Sequence, residues 1–560
     1  MEVNQAYISP NTAETDDEIS FVLDLSENDP LFQKKKKLLE DVGFDPKGSV
    51  ALNIASNPDH LKHVLDMMLK RARIINLNEI ELYFGGADFA NLVGFNSPRH
   101  ELEALHSVLR LIDCSISNGK VKNKNSLQEI RNATVNMIDE LGHKYGEETK
   151  VVQDSSCEKE ECLLQWGKSN GLHTKLEIAY VEGAGRGAIA KEDLKIGDIA
   201  LEVPVSLVIS ENLVFETGMS FVLLRQFPIL EKIEGISSET MLLLWSMKEK
   251  HNSDSNFKLY FDTLPAVFNT GLSFGVNAIM ALDGTILLEE IVQAKEHLRN
   301  QYEQLFPVLY ENYPDVFPPE LYTWEQFLWA CELWYSNSMK IMFSDGKLRT
   351  CLIPVAGFLN HSTCPHITHY GKVDPLTDSV KFPLSRPCNA GEQCFLTYGN
   401  FSSSHLLTFY GFLPRQKNPY DVILLDIDIA QDEDCEDAGR MSDSHMVRGT
   451  WFSRNNGIFN YGLAPPLLDH FRRPRGPISR TKTHDSLEIE VEILNDLRST
   501  FEDMMESLGG EELDDRDSCS WDVKLAMDFK DLQRRIVSSI ITSCDAGCKL
   551  LEYELSRCSE

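Results

Sequence analysis

The densest chemistry in this chain sits in Phe358-Leu359-Asn360-His361-Ser362-Thr363-Cys364-Pro365-His366. Apolar residues lead into consecutive polar side chains, and Pro365 ends any regular element. Asn360 and His361 can hydrogen-bond across chain segments or to a ligand; the plainer reading is a turn asparagine and a satisfied core histidine. A metal site here would use His361, His366 and His369, whose spacings lack a further carboxylate or cysteine at ligand distance, so no metal is expected.

A second stretch, Gly391 to Asn400, reads as a turn and a strand ending in Tyr398-Gly399. A helix closing on Tyr410-Gly411-Phe412 follows. Each tyrosine taken alone is a packed aromatic with a satisfied hydroxyl. The third, Gly183-Ala184-Gly185-Arg186-Gly187, is a glycine-dense turn where backbone can approach a ligand or take positive φ. No helix follows as in a dinucleotide fingerprint, and no Lys-Ser/Thr as in a P-loop, so a hairpin turn also explains it.

The elements that must position these stretches come from periodicity. Residues 1–47 read as a mostly disordered acidic tail, with Lys34 to Lys37 as a solvated helix start or an import signal. Ser56-Asn57-Pro58, Ser97-Pro98 and Asn125-Ser126 open three amphipathic helices in a helical region over 48–150. From about Thr174, β-branched runs broken by glycine and Pro204 indicate short strands. Helical sequence returns over about 211–345, strands over 352–412, and helices again from Ser486. A β-rich unit over 151–415 is thus interrupted by a helical insert and followed by a helical region over 416–560. The fold class is α+β.

With 54 basic against 86 acidic residues, the net charge of -32 disfavours a phosphate backbone as direct ligand and favours a basic protein partner. No apolar run is long enough to span a membrane, and the first twenty residues resemble neither a signal nor a transit peptide. A cytoplasmic or nuclear monomer is the expectation. Thirteen cysteines without a dense pattern read as free thiols.

Taken together and in this order, Gly-Arg-Gly, Asn-His-Ser and Tyr-Gly resemble the SET-domain methyltransferases. Leu164-Gln165-Trp166 with Asn170-Gly171, Leu259-Tyr260 with Leu264-Pro265, Leu352-Ile353-Pro354 and Asn418-Pro419-Tyr420-Asp421 narrow the likeness. They point to the branch typified by Rubisco large-subunit and actin methyltransferases. It covers about 160–425 in register. The resemblance implies a SET fold with a pseudoknot and an all-helical C-terminal substrate-binding domain. It implies S-adenosylmethionine as cofactor and methyl transfer to lysine, or histidine, of a non-histone protein. It places the backbone of Ala184, Gly185, Arg186 and Gly187 beside the cofactor, with Asn337, Gly357, Asn360 and His361 along its other side. Tyr410 and Phe412 would enclose it, and Tyr398 would be the catalytic hydroxyl. Many relatives carry Arg and Asp where this chain has Asn337 and Gly357, and Ser-Asn where it has Ser402-Ser403. Those departures keep open a second reading, a SET-fold binding module with little or no catalysis. A zinc-dependent chromatin SET enzyme has no support, because Cys435 stands alone beyond Phe412.

In the C-terminal region, Phe471 to Pro477 with Arg480 and Lys482 is a basic island. Its prolines and glycine predict an exposed loop rather than a helix. Such a loop is either a solvated linker or a surface that meets an acidic patch, on a substrate or on the protein's own body.

Overall fold

Ile19, Phe21, Leu23 and Leu25 are buried at period-two spacing, with Ser20, Val22 and Asp24 between them, and they build structure where the sequence suggests a tail. The computed structural model describes residues 14–15, 18–53, 58–85, 97–117, 124–152, 155–216, 237–426, 444–453, 456–476, 478, 480–510 and 516–558. Within it, Glu18–Val22 pairs antiparallel with Glu14–Thr15 and with Ser49–Asn53. The lysine run lies in helix Phe32–Asp41. Lys35 is buried there, donating to Asp29 at 2.7 Å and to the Ile75 carbonyl at 2.9 Å. The expectation of a disordered tail is therefore corrected for 18–47: four alternating buried apolar side chains outweigh the acidic residues around them. The same expectation for residues 1–13 and 16–17 lies outside the described residues.

Helices Pro58–Ile75 and Pro98–Ser117 pack on that sheet through Leu65, Met68, Leu105 and Ile112, and Lys124–Tyr145 packs on both of these helices. Ser97 caps the second, its hydroxyl accepting from the His100 amide at 3.1 Å. The segment after them runs directly into the next unit: Val151 bridges Val181, and the Gln393 amide donates to the Thr149 hydroxyl.

The β-rich unit is made of small sheets. Hairpin Leu176–Val181 with Gly185–Ala190 turns through Gly183 and Gly185, both at positive φ. A four-stranded sheet orders Val373–Asp374, Ser379–Pro383, Ile199–Pro204 and His173–Thr174. Met339–Met342 pairs with Leu348–Cys351. Between them, the segment from Asn360 to Ile367 lies alongside Gln393 to Leu396, with Leu396 bridging both His361 and Ile367 in parallel. Helices Ser238–His251, Lys258–Thr263, Ile286–Asn312 and Trp324–Asn337 form the insert, sharing one core with the strands through Trp245, Phe327 and Leu352.

The C-terminal region is not all-helical. A two-stranded hairpin, Val422–Asp426 with Ser444–Arg448, precedes helices Pro465–Arg472, His484–Ser507 and Trp521–Cys558. The island read as an exposed loop is corrected too: Phe471 and Arg472 complete a helix, and Arg473–Arg475 form a 3-10 turn. Pro474 falls after the helix has ended, where it removes no helical hydrogen bond. Arg472 is buried against Glu490, and Arg475 reaches Asp496, so the acidic patch it meets is the protein's own. Among the described residues no helix is long and apolar enough to cross a membrane.

Candidate active site

The Gly183–Gly185 turn, the Asn360 segment, the insert and the helix ending at Tyr410 converge on a cavity of about 570 Å³. Every residue that the resemblance places at the cofactor lines it except Gly187. A Cβ on Gly187 would stand 2.2 Å from Gln393 Oε1, so its lack of a side chain is what lets Gln393 approach. That amide matters: Asn360 Nδ2 donates to Gln393 Oε1 at 2.7 Å and to the Arg186 carbonyl at 3.0 Å. One asparagine thus ties three segments far apart in sequence. Asn360→Ala leaves two acceptors unpaired, costs about 1–3 kcal/mol, and is expected to loosen the cavity wall. Thermal melting and ligand titration of the variant measure this; parent-like values in both would remove Asn360 from the site.

His361 fixes the next residue of interest. Its Nδ1 accepts from the Tyr398 amide at 3.1 Å, while Tyr398 Oη donates to the Leu359 carbonyl at 3.3 Å. The Tyr398 ring stacks on Tyr410 at 4.8 Å and meets Phe412 edge-on at 6.4 Å. Burial, then the neighbouring tyrosines, pushes the Tyr398 phenol up, and burial lifts Tyr410 to about 12; both hydroxyls stay protonated at neutral pH. Helix Ser403–Tyr410 stops on Gly411 at φ 76°, where a Cβ would lie 1.8 Å from the Asn269 carbonyl, so only glycine turns the chain there.

Burial, with the Arg99 guanidinium adding to it, lowers His361 to about 3. A histidine depressed in the fold adds stability that is complete above its ordinary pKa of about 6.5 and lost as pH falls towards 3. Protonation would also place an N–H on Nδ1 facing the Tyr398 amide. Denaturant unfolding at pH 7, 5.5 and 4 should show this loss, with His361→Gln giving a shallower slope by up to about 1.4 kcal/mol per pH unit. Identical slopes would sink the assignment.

At the far wall, Asn337 and Gly357 face one another: a Cβ on Gly357 would meet Asn337 Oδ1 at 3.0 Å. Sequence reasoning missed Glu147, whose carboxylate bonds the Ser362 hydroxyl and faces Arg415, and both residues line the cavity. Glu147 lies before the stretch that carries the likeness, and nothing in its surroundings marks it. The structure does not gather His361, His366 and His369 into one cluster. His366 instead lies with Cys388 and Cys394, all buried and with donor atoms within 4.8 Å of one another. His366 Nδ1 already accepts from the Phe395 amide at 3.0 Å, which leaves a proton rather than a lone pair on its other nitrogen.

No protein-family model matches the chain. It is 24% identical over 276 residues to the actin-histidine N-methyltransferase of Gallus gallus, covering 48% of this chain and 45% of that protein. It is 26% identical over 325 residues to the chloroplastic Rubisco large-subunit N-methyltransferase of Pisum sativum, covering 56% and 63%. To the chloroplastic fructose-bisphosphate aldolase-lysine N-methyltransferase of Arabidopsis thaliana it is 24% identical over 264 residues, covering 46% and 52%. The chain thus spans about half the length of the curated relatives it matches. Among solved structures, the SET domain of LSMT bound to lysine and AdoHcy superposes with a TM-score of 0.52 at 19% identity, over 72% of this chain and 93% of that one. Rubisco LSMT bound to sinefungin and monomethyllysine gives 0.50 at 17% identity, over 72% and 94%. The cavity is therefore that of a SET fold, and the chain carrying it is similar to the Rubisco large-subunit and actin-histidine N-methyltransferases.

Proposed function

We propose that this protein is a methyltransferase that uses S-adenosylmethionine to methylate a lysine or histidine side chain of a non-histone protein. One observation carries the reading: Tyr398, Tyr410 and Phe412 form an aromatic wall at the same cavity that exposes the backbone of Gly183 to Gly185. The residues fit such a cofactor. The glycine turn allows close approach, the aromatic wall offers a face for an adenine ring or a sulfonium, and the volume falls in the range of cofactor sites. When bound, the cofactor supplies an activated methyl group with its own leaving group.

The chain's residues then have two tasks. Tyr398, held at its amide by His361 and at its hydroxyl by the Leu359 carbonyl, keeps a fixed oxygen in the wall against which an incoming amine is aligned. The apolar rings around it exclude water and favour a neutral amine over its ammonium form, lowering the amine's pKa from about 10.4. The substrate is read as a basic protein, given the charge of -32, and the protein as a monomer of a reducing, cytoplasmic or nuclear compartment.

Calorimetric titration with S-adenosylmethionine tests the first half of this, and labelled cofactor added to a cell extract tests the second. Saturable heat and one labelled protein are expected. Absence of both would leave a SET-fold binding module.

A further inference from the structure

An amino-acid carboxylate entering this cavity needs a cation, and the far wall offers none, since Asn337 and Gly357 are both uncharged. Arg186 and Arg415 are the two arginines that line the cavity among the described residues. They are held differently. Arg415 donates to the Glu182 carbonyl at an exposed lip and faces the Glu147 carboxylate. Arg186 leaves the strand between Gly185 and Gly187 and lays its guanidinium over the Phe358 ring at 5.1 Å. Its Nη1 donates to the Thr263 carbonyl and, at 2.5 Å, to Oε1 of Glu160, a buried carboxylate on helix Glu158–Ser169. Phe358 directly follows Gly357 in the chain, and Arg186, Phe358 and Gly357 all line the one cavity. Among the described residues, Nε and Nη2 donate to no protein acceptor. A planar fork braced on one nitrogen, stacked on a ring and with N–H groups left over is preorganised for a carboxylate.

The geometry points to the Arg186 side chain as the carboxylate-binding group of the cavity, with Glu160 as the positioning residue that holds it. This rests on the methyltransferase reading, under which the ligand group is the α-carboxylate of S-adenosylmethionine. It also assigns the side chain a role that the resemblance does not, since there only the backbone of the turn lies beside the cofactor. Glu160 turns one edge of the fork and fixes its plane; Phe358 removes water from one face, which strengthens the remaining hydrogen bonds.

The test compares S-adenosylmethionine with decarboxylated S-adenosylmethionine by calorimetry on the full chain. The parent should prefer the carboxylated ligand by about tenfold or more, the scale of a charge-assisted bidentate pair. Arg186→Gln should abolish that preference by weakening S-adenosylmethionine alone, and Arg186→Lys should restore part of it. Arg415→Gln should keep it, since that arginine is engaged elsewhere. Melting curves check that the variants fold; the preference of the parent needs no variant. Equal affinities in the parent, or an Arg186→Gln variant that weakens both ligands alike, would overturn the inference while leaving the cofactor reading in place. A parent that binds neither ligand overturns the cofactor reading and this inference with it.

Discussion

Tyr398→Phe is expected to cut methyl transfer by at least about tenfold, or about 1.4 kcal/mol of transition-state free energy, with affinity for S-adenosylmethionine nearly unchanged. The hydroxyl is the only atom removed. Its partner, the Leu359 carbonyl, sits at 3.3 Å, a weak bond whose loss costs little in folding. Ring stacking on Tyr410 and the edge contact with Phe412 persist in phenylalanine, so the aromatic wall stays in place. What disappears is the Tyr398 oxygen, which the packed ring places where the amine is to be aligned. Single-turnover measurement with labelled cofactor isolates that step from binding and release. A variant that turns over like the parent would remove Tyr398 from the chemistry and return it to the packed aromatics.

The second large effect lies in the C-terminal region and concerns stability. Glu490 accepts from Arg472 Nε at 2.6 Å, from its Nη2 at 2.9 Å and from Tyr461 Oη at 2.8 Å, with all three residues buried. Glu490→Ala strands a guanidinium in the interior with Asp469 and the Phe459 carbonyl as its remaining partners. Breaking a buried pair from one side costs about 3–5 kcal/mol, which should appear as a large fall in the urea midpoint. Arg472→Met combined with Glu490→Met should recover much of the loss, since no unpaired charge then remains. If Glu490→Ala unfolds at the parent's midpoint, the pair is not buried as described. The same pair excludes Arg472 from any charge-reversal test of substrate contact, because Arg472→Glu would set two carboxylates against each other.

Elements and chemistry were legible wherever local pattern decides. Helix Pro98–Ser117 follows from Ser97-Pro98 and the spacing of Leu102, Leu105, Leu109 and Ile112; the strands follow from β-branched runs between glycines. The order of Gly-Arg-Gly, Asn-His-Ser and Tyr-Gly located the cavity because the positive-φ turn at Gly185 and the cross-segment bonds of Asn360 and His361 each depend on residue type. The stretch from Ile19 to Leu25 carried its signal too, in a short alternation that the surrounding acidic residues obscured.

Tertiary structure alone decided the long-range polar contacts. Glu147 at the cavity, Glu160 beneath Arg186 and Glu490 beneath Arg472 look in the sequence like any of the 86 acidic residues of a strongly charged chain. A carboxylate buried 26 or 18 positions from its arginine leaves no periodic trace, since ion pairing depends on distance in space and on exclusion of water. The same holds for Gly411, a glycine whose need is set by a carbonyl more than a hundred residues away in the insert. Sequence determined which segments could form the site; only packing determined which charges inside it are neutralised and which are left to meet a ligand.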